Sequence, residues 1–458
     1  MGADAFSVGG RRVVVVGAAR SGIAAAELLA RRGARVVLTE SRASIDEAAR
    51  LRDAGVELEL GGHTTATFEQ ADLVVVSPGV PTEQAVFESA RQHGAEIIGE
   101  LELASRWVKG PIVAITGTKG KSTTTTLLGR MFNESGHDVL VGGNIGVPLS
   151  AQVDASTPET VHVVEVSSFQ LETTVTFRPW IALWLNFADD HLDRHPTVEA
   201  YASAKARIFA NQLATDWAVV NADDTTVMAH SRGIAARRVM FSPTGAVADG
   251  FLVDGGWIVR RTHTTVERLI PVSAVELTGR HMLNNVIAAA AVATVAGVQS
   301  DAMTHALRGF HGLEHVMEPV GRIGDVRFVN DSKATNVEAA RRSIESFERG
   351  VVALVGGKFK GGDLQELRAP LSERGRGVIA IGEAAPLVRD ALHGVVPVVT
   401  ASSMSEAVAQ AYEAARPDGV VLLAPACASF DWFRDYAERG RVFKEEVGKL
   451  RDRVGRTH

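Results

Sequence analysis

Residues 113–128 read VAITGTKGKSTTTTLL: an apolar β-type run over 112–115, a Gly-rich turn over 117–121, and a helical pattern that opens at Ser122. This order of parts makes a phosphate cradle. Gly117 and Gly120 let the backbone approach a polyphosphate, N–H groups at the helix start point at it, and the helix dipole favours its charge. Lys121 reaches the β- and γ-phosphates, and the Ser122 or Thr123 hydroxyl holds Mg²⁺. The common GxxxxGK[ST] form needs a glycine where Ile115 stands, so this loop is shorter than usual. A strand–helix turn with an accidental Lys-Ser is the plainer alternative. Strand, turn and helix in the right order favour ATP binding.

At 458 residues the chain exceeds what one core usually organises, so two or three domains are expected. An apolar content of 46% and a charged content of 22% are those of an ordinary globular protein. The net charge of −6 gives a nucleic-acid or membrane-surface role no electrostatic support. A single cysteine, Cys427, cannot form an internal disulfide, which suits a reducing compartment. No basic-then-apolar leader precedes the first strand, and the apolar stretch 286–298 is too short to span a bilayer. A soluble, cytoplasmic protein with no nucleic-acid or membrane partner is expected.

Ahead of the loop, 11–16 reads as a buried strand ending in GAARSG (17–22), followed by a helix over 23–32 and a strand over 35–39 with Glu40 at its end. That is a βαβ opening of the dinucleotide-binding kind. Ala19 stands where a second glycine lets a pyrophosphate approach, so another nucleotide-type ligand is favoured over a nicotinamide. The strand 73–76 runs into SPGVP (77–81), either a ligand-holding turn at the sheet edge or a plain Pro-Gly turn. After the loop helix, Glu165 falls late in an apolar strand over 161–166 that runs into SSFQLE (167–172). An acid delivered this way beside a phosphate loop is a candidate Mg²⁺ ligand. The strand 181–185 leads to NFADDHLDRHP (186–196), whose Asp and His either bind a cation or form a solvated acidic loop. In YASAKARIF (201–209) Lys205 falls among Ala, Ile and Phe, where it snorkels to water or serves as a desolvated amine.

Helices over 286–296 and 301–308 precede a Gly-bearing linker at 309–312. Strands at 326–330, 351–355, 378–381, 396–399 and 420–423, with helical patterns between them, form another α/β unit. NDSKATN (330–336), GGKFKGGD (356–363) and PACASFDWF (425–433) end three of these strands and suggest a ligand cleft at one sheet edge. The charged tail after Leu450 is expected to fray.

Taken in order, SPGV, GTKGKST, GGNIG, EVSSFQLE, DDHLDRHP, YASAKARIF, NDSKATN, GGKFKGGD and PACASFDWF resemble the ATP-dependent Mur ligases of peptidoglycan synthesis. SSFQLE, NDSKATN and PACAS are similar to the glutamate-adding member. The resemblance implies an α/β fold of three domains. These are a UDP-sugar-binding Rossmann-like domain over 1–106, a central P-loop-type ATPase with a mainly parallel sheet over 107–311, and a Rossmann-like domain over 312–458. It implies a reaction as well. ATP phosphorylates the L-alanyl carboxylate of UDP-N-acetylmuramoyl-L-alanine, and the amine of D-glutamate attacks the acyl phosphate. A related ligase using L-glutamate or another amino acid is the near alternative. A dinucleotide-binding oxidoreductase leaves the phosphate loop unexplained.

The same resemblance implies the site. Lys121 is the loop lysine, with Gly117, Thr118, Lys119, Gly120, Ser122 and Thr123 around the nucleotide. Ser122, Glu165 and His191 hold a pair of Mg²⁺ ions that Lys205 bridges as a carbamate, and Lys121, His191 and Lys205 are the catalytic set. Ser21, Glu40, Ser41 and Arg42 fall where uridine is held, with Ser77 and Gly79 close by, and Asn144 and Ser167 lie near the muramoyl peptide. Asn285 matches the adenine-side asparagine and Asp331 the ribose-side acid. Thr335, Lys360 and Ser429 match holders of the glutamate carboxylates, and Tyr436 takes the place of an aromatic there. Three positions depart from the pattern: Lys119 replaces an asparagine, Met282 replaces the first asparagine of a GxHN-type motif, and Val316 replaces a phosphate-facing arginine. A monomer is expected.

Overall fold

The computed structural model describes residues 6–188, 194–245, 247–275, 280–310, 312 and 314–455, the side chains of 280 and 281 excepted. The chain divides into two compact units, 1–310 and 311–458. The first unit carries two sheets and the second carries one.

The first sheet consists of β1 (Arg12–Val16), β2 (Arg35–Glu40), β3 (Glu57–Leu60), β4 (Leu73–Val76) and β5 (Glu96–Gly99). Its order is β3-β2-β1-β4-β5 and every pair is parallel, the Rossmann-like arrangement. The strands at its centre, RVVVV and LVVV, are buried on both faces, which is why they read as continuous apolar runs. The first helix starts at Arg20, earlier than expected. Gly22 permits this: a Cβ there would stand 1.9 Å from Gly17 O, so only glycine lets the helix begin against the turn.

The second sheet contains β6 (Ile112–Thr116), β7 (Val139–Gly143), β8 (Val161–Glu165), β9 (Ile181–Trp184), β10 (Trp217–Asn221), β11 (Arg237–Ser242), β12 (Gly250–Asp254), β13 (Trp257–Arg261) and β14 (Val266–Pro271). Its order is β14-β13-β12-β11-β10-β9-β6-β8-β7, parallel except for the β12–β13–β14 meander at one end. Ile115 pairs with Glu165 and Thr116 with Trp184. The carboxyl ends of β9, β6, β8 and β7 therefore open side by side. The helix that follows the meander runs Arg280–Val295 and so includes Asn285, which the sequence pattern placed ahead of it.

The third sheet, in the second unit, contains β15 (Glu318–Ile323), β16 (Val326–Asn330), β17 (Val351–Gly356), β18 (Gly375–Ile381), β19 (Val398–Thr400) and β20 (Val420–Leu423). Its order is β15-β16-β20-β17-β18-β19, and β15 alone runs antiparallel. Adjacent β16, β20 and β17 deliver the three polar clusters to one edge. The stretch after Leu450, expected to fray, stays helical as far as Gly455: the last helix is Tyr436–Gly455. Its Phe443, Val447 and Leu450 pack into a core beneath the sheet, and Val454 extends that stripe.

Within the first unit, one carboxylate ties the helix after β5 to the loop before β9. Glu102 is fully buried. It accepts Val175 N and Phe177 N at 2.9 Å, Thr176 N at 3.0 Å and the Thr176 hydroxyl at 2.6 Å, and pairs with Arg106 Nε at 2.9 Å. Burial alone raises its pKa, but these donors outweigh it and hold the carboxyl below the usual range. Glu102→Ala strands four donors, Phe177 N among them buried, and a guanidinium, and at pH 7 it is expected to destabilise the protein by about 3 kcal/mol or more. Because the folded pKa is depressed, this contribution is full above the ordinary carboxylate range and fades as pH falls through the lowered value. Urea unfolding at two pH values checks both statements, and a variant as stable as wild type contradicts them.

Candidate functional site

Four neighbouring strand ends build the site in the first unit. The turn after β6 carries Gly117, buried and at φ 154°, and Gly120 at φ 83°, conformations that glycine adopts freely. Gly120 also lies against Asn285: a Cβ there would stand 2.3 Å from Asn285 Oδ1. The helix Lys121–Glu134 starts directly afterwards. Its first-turn N–H groups at Lys121, Ser122 and Thr123 precede the first i→i−4 bond, Thr124 N to Gly120 O. Such a helix start is an anion site in the making.

Two lysines converge on the turn. Lys121 Nζ donates to Gly117 O at 2.9 Å and Thr118 O at 3.0 Å, and Lys205 Nζ donates to Gly117 O at 2.9 Å. Lys205 does not snorkel. It is 1% exposed, and its ammonium also lies 4.6 Å from the Tyr201 ring centre. At the end of β8, Glu165 is buried, and its Oε1 accepts Asn144 Nδ2 at 2.9 Å. Its Oε2 has no hydrogen-bond partner among the described residues. Ser167 caps the short helix Ser168–Glu172 through a capping box with Gln170. His191 lies outside the described residues. Lys119 is exposed.

At the first sheet, Glu40 organises the turn that follows it. Its Oε2 accepts Ala18 N at 2.7 Å and Arg42 NH2 at 3.2 Å, while its Oε1 accepts the Ser41 hydroxyl and Arg42 N at 3.0 Å. Burial opposes ionisation, but these donors win and lower its pKa to about 2. Ser41 and Arg42 are exposed beside it, and Ser21 is half-buried in the first helix. The Ser77 hydroxyl donates to Gly17 O at 3.0 Å. Ser77 and Gly79 line a small cleft together with Phe169, Gln170, Glu172 and Arg194.

In the second unit, Asp331 is buried and accepts Met317 N at 3.1 Å and the Ser343 hydroxyl. Burial raises its pKa against those two donors. The turn it holds is strained, with His315 at φ 66° and Met317 at φ 44° on either side of Val316. Thr335, Lys360 and Ser429 follow β16, β17 and β20 respectively, so one sheet edge collects them. Tyr436 opens the last helix, and its carbonyl accepts the Ser332 hydroxyl at 2.7 Å.

Sequence reasoning passed over two residues. Arg439 is 1% exposed and clips two of these loops together, donating to Ser332 Oγ, Ser332 O and Cys427 O. Burial lowers its pKa to about 10, against the opposing pull of Cys427 and Asp431. Asn186, the first residue of the acidic loop, clasps the phosphate turn: its Oδ1 accepts Lys119 N at 2.9 Å and its Nδ2 donates to Lys119 O at 3.0 Å. Its place directly after a buried strand next to β6 was the one available signal.

Three family descriptions match the chain: the N-terminal domain of MurD-like Mur ligases over 11–99, the Mur ligase middle domain over 115–293, and the Mur ligase glutamate ligase domain over 317–427. The chain is 45% identical to a UDP-N-acetylmuramoylalanine–D-glutamate ligase of Acidobacterium capsulatum, with 96% of each chain covered. It is 43% identical to the enzyme of that name from Pelotomaculum thermopropionicum, covering 96% of this chain and 98% of that one. Among solved structures, the UDP-N-acetylmuramate–alanine ligase MurC of Thermotoga maritima shares the fold with a TM-score of 0.55 at 18% identity, covering 96% of this chain and all of that one.

Proposed function

The chain belongs to the Mur ligase family, and from that premise we propose that it joins D-glutamate to UDP-N-acetylmuramoyl-L-alanine at the expense of ATP. It does so as a cytoplasmic monomer, in peptidoglycan precursor synthesis. Among the described residues no helix is long and apolar enough to cross a membrane. The domains of this reading are 1–106 for the UDP-sugar, 107–311 for ATP, and 312–458 for ATP and amino acid.

One observation carries the reading. The phosphate turn with its two lysines and the buried Glu165 leave adjacent parallel strands at the same sheet edge. A carboxylate is a poor electrophile, because its anion repels nucleophiles and oxide cannot leave. Phosphorylation removes both obstacles, so the protein must hold a polyphosphate and a carboxylate in line and supply positive charge between them. Lys121 and the helix start fit the polyphosphate. The buried, half-satisfied carboxylate of Glu165 fits a hard cation. Mg²⁺, which the family uses, supplies charge neutralisation at the transferring phosphoryl group when bound. Ser122, Glu165, His191 and Lys205 are its proposed holders, and a pair of ions is proposed.

As an ammonium, Lys205 opposes a cation. As a carbamate it becomes an anion at the same place, which is the form proposed for the working enzyme. Asn285 and Asp331 are assigned to adenosine. Ser21, Glu40, Ser41, Arg42, Ser77, Gly79, Asn144 and Ser167 are assigned to the nucleotide sugar, and Thr335, Lys360, Ser429 and Tyr436 to glutamate. In the uridine turn, the anionic Glu40 spends its oxygens on Ala18, Ser41 and Arg42. It therefore orients donors and does not itself face the ligand's charge.

Phosphate release from ATP is expected only when both the UDP-sugar peptide and D-glutamate are present. Release that ignores the amino acid, or that L-glutamate supports equally, overturns the assignment. Lys205→Ala is expected to lose about a hundredfold or more in rate and to recover part of it with a short-chain carboxylic acid. Full activity in that variant contradicts the carbamate.

A further inference from the structure

Three successive peptides of the phosphate turn take their direction from one side chain. Thr118 N donates to Asn186 O and Oδ1, both at 3.1 Å, and Lys119 N donates to Oδ1 at 2.9 Å. Asn186 Nδ2 returns a bond to Lys119 O at 3.0 Å. The carboxamide thus pairs with both backbone groups of Lys119, as an opposing peptide does in a sheet. Two N–H donors at one end and a carbonyl at the other also fix which amide atom is oxygen.

The consequence follows from planar trans peptides, in which N–H and C=O point to opposite sides. With Thr118 N–H and Lys119 N–H turned to Asn186, Gly117 O and Thr118 O face away from it. Those two carbonyls are the ones that receive Lys121 Nζ and Lys205 Nζ. The next peptide is reversed: Lys119 O faces Asn186, so Gly120 N–H turns toward the lysine side. Asn186 therefore withdraws two loop amides from any ligand, sets the resting places of both ammonium groups, and aims the Gly120 amide at the space they enclose. Its own backbone carbonyl is steadied by Trp184 Nε1 at 3.2 Å.

Resting on the ATP-dependent reading above, we propose that Asn186 is a positioning residue for the nucleotide, acting through the peptide directions of residues 117–120. Three measurements test it: amide exchange in the unliganded wild type, affinity for a non-hydrolysable ATP analogue with Mg²⁺ by calorimetry, and steady-state constants. The Thr118 and Lys119 amides are expected to be protected, and exchange at open-chain rates overturns the inference. Asn186→Ala is expected to weaken nucleotide binding about tenfold or more, with the KM for D-glutamate within about twofold of wild type. Asn186→Asp keeps the size and the Oδ1 acceptor but sets an anionic oxygen against Lys119 O. It is expected to bind nucleotide no better than Asn186→Ala, which a merely space-filling role does not predict. Folded variants that both bind the analogue within about twofold of wild type overturn the inference. A wild type that binds the analogue but never ligates unseats the proposed function instead, leaving the exchange and affinity results to stand on their own.

Discussion

The direction of the peptide planes at 117–118, 118–119 and 119–120 is the constraint on which the site in the first unit depends. A strand-to-helix turn can present carbonyls or amides to what lies above it, and the two choices attract opposite charges. Here two carbonyls hold lysine ammoniums, and the helix start behind them offers N–H groups. Cations and amide dipoles then surround the same space. Gly117 and Gly120 make the turn conformationally possible, Asn186 sets its sense, and Asn285 closes against it where a side chain on residue 120 could not fit.

A turn of this kind works only if its neighbours are fixed. The parallel register of β6 with β8 and β9 puts Glu165 and Asn186 beside it without further arrangement. The first sheet is held by separate means: Glu102 gathers the donors of residues 175–177, and Glu100 accepts Ser150 N and Oγ. Buried carboxylates that accept several donors at once are directional fasteners, because losing one strands every donor it held. In the second unit, Asp331 and Arg439 play the same part for the strand-end loops.

The three-domain α/β plan was legible because parallel strands are buried on both faces and stand out as apolar runs between turn signals. The strands β3, β5 and β7 are half-buried or polar at alternate positions and escaped that reading. So did the antiparallel edge strand β15, which contains Pro319 and Gly321. The phosphate turn and Glu165 were readable because their chemistry shows in residue type and order. Asn186 was not. An asparagine after a strand looks like any loop residue, and its role depends on a register between β6 and β9 that no local pattern contains. The end of the last helix, read as a fraying tail after Leu450, was misjudged for a related reason. Its charges dominate the sequence, while the apolar stripe of Phe443, Val447, Leu450 and Val454 has meaning only once a sheet lies beneath it.

These features support one chemical account: positive charge and aligned dipoles held over a polyphosphate so that a carboxylate can be phosphorylated and then attacked by an amine. The fate of the carboxylate oxygen tests it most directly. With UDP-N-acetylmuramoyl-L-alanine carrying ¹⁸O in its alanyl carboxylate, the account predicts that each turnover moves a labelled oxygen into the released phosphate. Phosphate free of label, formed alongside the glutamate product, would contradict it.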